Sequence, residues 1–175
     1  DSVLFPQGAG ALFSNPISYQ NRLVAVLDIG GLTVNGCIFD NFNLQTPSMF
    51  TANLGCLILL NQIRKELNSH FTLNLQEYEV INVIKNGLSI NGKRCDSSKI
   101  VNSMILNHCH QIKTECQKSN WNIETLDVII VGGGGLFLDG YIQKVIPQVK
   151  IIPDPVAANV RGFYEVGRRY YAQNI

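Results

Sequence analysis

The chain has 175 residues, 46% hydrophobic and 15% charged, with a formal net charge of +1. That length supports one domain with a full core, and that balance excludes a disordered chain. The near-zero charge leaves no basic footprint for direct nucleic-acid binding, and no apolar stretch reaches the about 20 residues of a membrane span.

The N-terminal run "DSVLFPQGAGALF" lacks the basic start and long apolar centre of a signal peptide. It also lacks an initiator Met, so a fragment or trimmed chain is expected. "RLVAVLDIG" is a buried strand, and "GLTVNGCIFD" a second over Val34–Phe39, with Gly30 and Gly31 in a tight hairpin turn between them. "TPSMFTA" is a weaker third strand. "LGCLILLNQIRKELNSHF" and "LQEYEVINVIKNG" read as helices, the second stopped by Gly87. "SINGKRCDSS" reads as an exposed turn-rich link, with Asp96 or Ser97 capping a long helix that runs to Lys118. "LDVIIVGGGG" is a continuous apolar strand, the pattern of a parallel strand buried on both faces. "LFLDGYIQKVI" is a short helix, "VKIIP" a last strand, and "PVAANVRGFYEVGRRYYAQ" a terminal helix. The order β-β-β-α-α-α-β-α-β-α predicts an α/β fold in which a three-strand meander precedes alternating helices and parallel strands.

Cys37, Cys56, Cys95, Cys109 and Cys116 are odd in number and irregularly spaced, which suits reduced thiols and a cytoplasmic location. "HCHQIKTEC" has the residue types of a metal site. Val101, Met104, Ile105, Cys109, Ile112 and Cys116 instead form one apolar helical stripe, so buried structural thiols are the expectation.

Two glycine-marked turns, "DIGGLT" and "GGGG", close strands. In the first, the N–H groups of Gly30, Gly31 and Leu32 can converge on an anion, with the Thr33 hydroxyl as a further donor. Asp28 would repel a bare phosphate, so a Mg²⁺ ion held through water is expected between them. In the second, Gly132, Gly133 and Gly134 precede a helix N-terminus that favours phosphate, and they offer a flat surface to a purine. Either turn alone is better explained as an ordinary turn; both in one domain point to a nucleotide. The dinucleotide pattern GxGxxG is not met.

"LDIGGLTVNG" resembles the second phosphate-binding hairpin of the actin-like ATPase superfamily, and "VIIVGGGG" its adenosine motif. "FPQGAGALF" and "PVAANVRGFYEVGRRY" are similar to segments flanking these motifs in ParM- or StbA-type plasmid-segregation actins and their archaeal relatives. The resemblance implies a ribonuclease H-like subdomain with a mixed five-stranded sheet flanked by helices. Residues 1–175 would be a single domain, the second, C-terminal half of such a protein. It implies ATP and Mg²⁺ as ligands: Gly30, Gly31 and Thr33 at the β- and γ-phosphates, Asp28 as the catalytic and metal-holding residue, and Gly132, Gly133 and Gly134 at the adenosine and α-phosphate. Lys85 would lie by the ribose and purine, and Ala157 and Gly162 in the hinge helix. Asn35 stands where the family usually carries Asp. The residue positioning the attacking water is expected in the other half, so this chain alone would hydrolyse ATP very slowly if at all. The implied partners are further copies, joined head to tail into filaments, and a DNA-binding adaptor; no membrane is involved. Two alternatives in the same superfamily are a sugar-kinase-type enzyme and a non-catalytic assembly scaffold.

Overall fold

Residues 5–172 are described by the structure, a computed structural model. Strand β1 (Leu23–Ile29) pairs antiparallel with β2 (Val34–Asp40), in register from Leu23 opposite Asp40 to Ile29 opposite Val34. On its other side β1 pairs parallel with β7 (Asp127–Val131), which pairs parallel with β8 (Lys150–Ile151). Two short segments, β3 (Asn43–Leu44) and β4 (Phe50–Ala52), together form the edge beside β2. The mixed sheet therefore has the five positions expected, with its edge strand in two pieces.

That break corrects the reading of "TPSMFTA" as one strand. Thr46–Ser48 is a 3₁₀ turn. Pro47 has no N–H for a ladder. Ser48 Oγ instead accepts the Ile38 N–H at 2.9 Å and donates to Gln45 O at 2.6 Å, so one side chain replaces a strand partner.

Both sheet faces are covered, which is why β1 and β7 are apolar at successive positions. Ala25, Leu27, Ile29, Val128 and Ile130 face one core, covered by α2 (Cys56–Phe71), α3 (Glu77–Asn86) and α4 (Ser98–Lys118). Val24, Val26, Ile129 and Val131 face the other, covered by α1 (Gly10–Ser14) and α7 (Ala158–Ala172). These two helices cross in close contact. A Cβ on Gly162 would run into the Gly10 backbone, and one on Gly10 into the Asn159 backbone. Gly162 thus serves this crossing.

The link "SINGKRCDSS" is also more ordered than expected. Strands β5 (Leu88–Ile90) and β6 (Lys93–Cys95) form a hairpin whose turn, Asn91–Gly92, has φ of +50° and +74°. Asn-Gly is the pair a two-residue hairpin turn favours, so the signal was present in the sequence. At the start of α4, Ser97 makes no capping bond; Asp96 Oδ1 accepts both the N–H and the hydroxyl of Ser98. The segment "LFLDGYIQKVI" is two helices, α5 (Gly133–Leu138) and α6 (Ile142–Val145), interrupted at Gly140, where φ is +74°. Cys109 and Cys116 are buried in the α4-facing core, and burial pushes both thiols up to about 12. His110 is exposed.

Candidate functional site

Asp28 is the penultimate residue of β1. Strand alternation places it with Val24 and Val26 on the α1–α7 face. It is 4% exposed. Asn159 of α7 donates to its Oδ2 at 2.9 Å. Burial outweighs this bond and the nearby Gln7 amide, and holds the Asp28 carboxyl above its ordinary range. Asn159 Oδ1 is itself buried with no partner among the described residues. A buried carboxylate next to an orphaned amide oxygen is an acceptor-rich spot that protein donors do not satisfy.

The turn after β1 is built against the start of α2. The carbonyls of Gly30, Gly31 and Leu32 accept the N–H groups of Cys56, Leu57 and Gly55 at 3.0, 2.9 and 3.0 Å. Each trans peptide points its N–H opposite to its carbonyl. The N–H groups of Gly31, Leu32 and Thr33 therefore face away from α2, and none has a protein partner among the described residues. Gly30, expected to offer its N–H to an anion, instead donates it to Thr33 O at 2.9 Å. The donor set is thus displaced by one residue, to 31–33. Gly55 is a site residue that sequence reading missed: a Cβ there would collide with the Gly31 and Leu32 backbone.

The four glycines do not form a turn ahead of a helix. Gly132 is the N-cap, with φ of +84°, and the other three lie inside α5. A Cβ on Gly132 would collide with Ile29 O and lie 2.7 Å from Asp28 Oδ1. A Cβ on Gly134 would collide with Ile29 Cγ2 and lie 2.7 Å from Cys56 Sγ; one on Gly135 would meet Ile130 Cγ2 at 2.6 Å. Close packing of α5 on the sheet requires these glycines. Only Gly133 has room, its nearest neighbour being Val156 Cγ2 at 3.8 Å. Exposed Leu32, Leu57, Leu136 and Val156 add apolar surface around the glycine run and the turn.

The structure thus gathers Asp28, Gly30, Gly31, Thr33 and Gly132–Gly134 at one end of the sheet. Lys85 is not in the contacts that join these residues. It lies on the last turn of α3 and lines a cleft of about 520 Å³ with Arg94, Asp96, Ser97 and Asn102, to which none of the other expected site residues contributes. Sequence reading also missed Gln7, an exposed amide on the stretch before α1 whose Oε1 accepts from Asn35 Nδ2 at 3.2 Å. The residues fit a Mg²⁺–nucleotide: a buried carboxylate and orphaned amide oxygen for ordered water, three outward N–H groups for phosphate, and a glycine cradle that side chains would fill.

His108 ties this end of the sheet to α4. It is buried, and its Nε2–H donates to Leu54 O at 2.9 Å, just before the Gly55 contact with the turn. Its Nδ1 is buried without a partner among the described residues, and burial lowers its pKa. The unfolded chain therefore takes up the proton first. The stabilisation is fully present above the unfolded value of about 6.5 and is lost as pH falls through the range below it. Urea unfolding at pH 7.5 and 5.5 is expected to show a loss of stability that His108→Gln reduces; an equal loss in both proteins would remove this role.

Residues 26–144 match the family model described as archaeal actin homologue MreB-like, C-terminal. The crystal structure of an archaeal actin homologue superposes with a TM-score of 0.80 at 14% identity, over 96% of this chain and 56% of that one. A ParM filament from Clostridium botulinum gives 0.79 at 21% identity, over 95% and 53%. An MreB of Spiroplasma citri bound to ADP gives 0.75 at 15% identity, over 98% and 61%. The chain spans little more than half the length of these proteins, and a comparison with curated sequences finds no match. Since the family match runs from β1 through the phosphate-turn and glycine-run geometry to α6, the chain belongs to the family of MreB-like archaeal actin homologues, as their C-terminal domain.

Proposed function

We propose that this chain is the second nucleotide-binding half of a filament-forming actin-like ATPase, working in the cytoplasm. The observation that carries the reading is the convergence of buried Asp28, the outward N–H groups of Gly31, Leu32 and Thr33, and the open face at Gly133 on one end of the sheet. The phosphates of ATP would lie on the 31–33 turn, with the Thr33 hydroxyl as a further donor, and the nucleoside against Gly133 and its apolar neighbours. Mg²⁺, held through water by Asp28, would offset the charge of the phosphates. Gln7, bonded to Asn35 near the turn, would be available to hold a water there.

The filament solved for a ParM protein supports head-to-tail self-association as the output. Together with the flanking-segment resemblance, it favours plasmid segregation through a DNA-binding adaptor. No helix among the described residues is long and apolar enough to cross a membrane. In the full-length protein, titration calorimetry is expected to show Mg²⁺-dependent ATP binding, with light scattering rising on ATP addition. Binding without any scattering change would leave a nucleotide-binding domain but remove the filament.

A further inference from the structure

We propose that His108 is a positioning residue for the phosphate turn: its imidazole heads a hydrogen-bonded row of peptides that ends in the outward N–H of Thr33. The inference deepens the nucleotide reading and rests on it for its effect on ligand affinity.

Each free N–H of the turn ends such a row, because the carbonyl and the N–H of one trans peptide point in opposite directions. In the first row the Ile58 N–H donates to Gly55 O at 3.1 Å, and the Cys56 N–H of that peptide donates to Gly30 O at 3.0 Å, leaving the Gly31 N–H at the end. In the second, the Leu60 N–H donates to Cys56 O within α2, and the Leu57 N–H to Gly31 O at 2.9 Å, leaving the Leu32 N–H at the end. The turn thus adds a layer of peptides to the N-terminal end of α2, where aligned dipoles favour an anion. The third row has no helical donor. Leu54 lies ahead of the N-cap, Gly55, and its carbonyl accepts from no backbone N–H among the described residues. His108 Nε2–H takes that place at 2.9 Å, and the Gly55 N–H of the same peptide donates to Leu32 O at 3.0 Å. The Thr33 N–H is the outer end of this row.

Packing alone does not call for a histidine here. A carbonyl only accepts, so the proton sits on Nε2 and Nδ1 is bare. Nδ1 is buried without a partner among the described residues, in a ring 2% exposed. An unpaired buried acceptor lowers stability, and leucine would extend the apolar face of α4 without one. What imidazole supplies and leucine lacks is the donor to Leu54. Hydrogen bonds in a row polarise one another, most strongly where water is excluded. His108 therefore does for the third row what the backbone of α2 does for the other two.

In the full-length protein, the imidazole ¹⁵N shifts of His108, assigned by their loss in His108→Gln, are expected to report the Nε2–H tautomer; the Nδ1–H tautomer would overturn the proposal. In ligand-free His108→Leu, the amide protons of Gly55 and Thr33 are expected to move upfield together while those of Gly31 and Leu32 stay in place. His108→Gln keeps a donor at the reach of Nε2 and should hold all four near the parent. Calorimetry should show Mg·ATP bound about fivefold more weakly by the leucine variant and within about twofold of the parent by the glutamine variant. Equal shifts of all four amides, or equal weakening by leucine and glutamine, would mean that His108 acts through packing and would overturn the proposal. The tautomer and the glutamine variant remain decisive if leucine prevents folding. If the parent binds no Mg·ATP, the nucleotide reading fails, while the amide shifts still show whether His108 polarises the Thr33 row.

Discussion

Asp28→Asn is expected to cost the full-length protein about 100-fold or more in ATP hydrolysis, the scale of removing one preorganised electrostatic group. The same change should raise the melting temperature of the nucleotide-free protein. The two effects have one cause. Burial holds the Asp28 carboxyl above its ordinary range. The folded state therefore binds the proton more tightly than the unfolded state does. Its favourable contribution is fully present below the unfolded pKa and is lost as pH rises through the folded value. The charged form of this buried group destabilises the empty fold, and asparagine removes the charge while keeping an oxygen for Asn159. On the proposed function Mg²⁺–nucleotide would offset that strain in the parent, so ligand should raise the parent's melting point more than the variant's. Thermal melts with and without Mg·ATP, alongside steady-state rates, check both arms. A variant that melts lower than the parent and still hydrolyses ATP would remove Asp28 from the site.

Gly134→Val and Gly133→Val should part company although the two residues are adjacent. A Cβ at 134 enters space held by Ile29 and Cys56. Overpacking of this kind costs up to about 3 kcal/mol, or about 6–12 °C in melting temperature for a domain of this size. At 133 the nearest atom is 3.8 Å away and φ is unexceptional, so valine should leave the melt nearly unchanged. It would project into the space assigned to the nucleotide and weaken ATP binding by about tenfold, the equivalent of about 1.4 kcal/mol. Melting curves and calorimetric Kd values on both variants separate packing from binding. Gly133→Val with the parent's affinity would mean that the whole run serves packing alone.

The linear order of residues determined the strands, most helices and the class of fold, because each element declares itself locally. The short, β-branched apolar runs of β1 and β7 read as strands covered on both faces, and the α4 stripe through Cys109 and Cys116 reads as a buried face. The same local logic brought Asp28, the Gly30–Thr33 turn and the glycine run under suspicion. Tertiary structure decided what each of these residues does. The N–H groups of residues 31–33 stay free because the turn's carbonyls are taken by the start of α2, and Gly134 is glycine because Ile29 and Cys56 lie over it. Asn159, far from Asp28 in sequence, reaches it because α7 crosses α1 at Gly10 and Gly162 on that face of the sheet. Periodicity reports which side of an element is covered. It carries no information about which distant backbone or amide does the covering, and at this end of the sheet that partner sets the charge, the free donors and the room for a ligand.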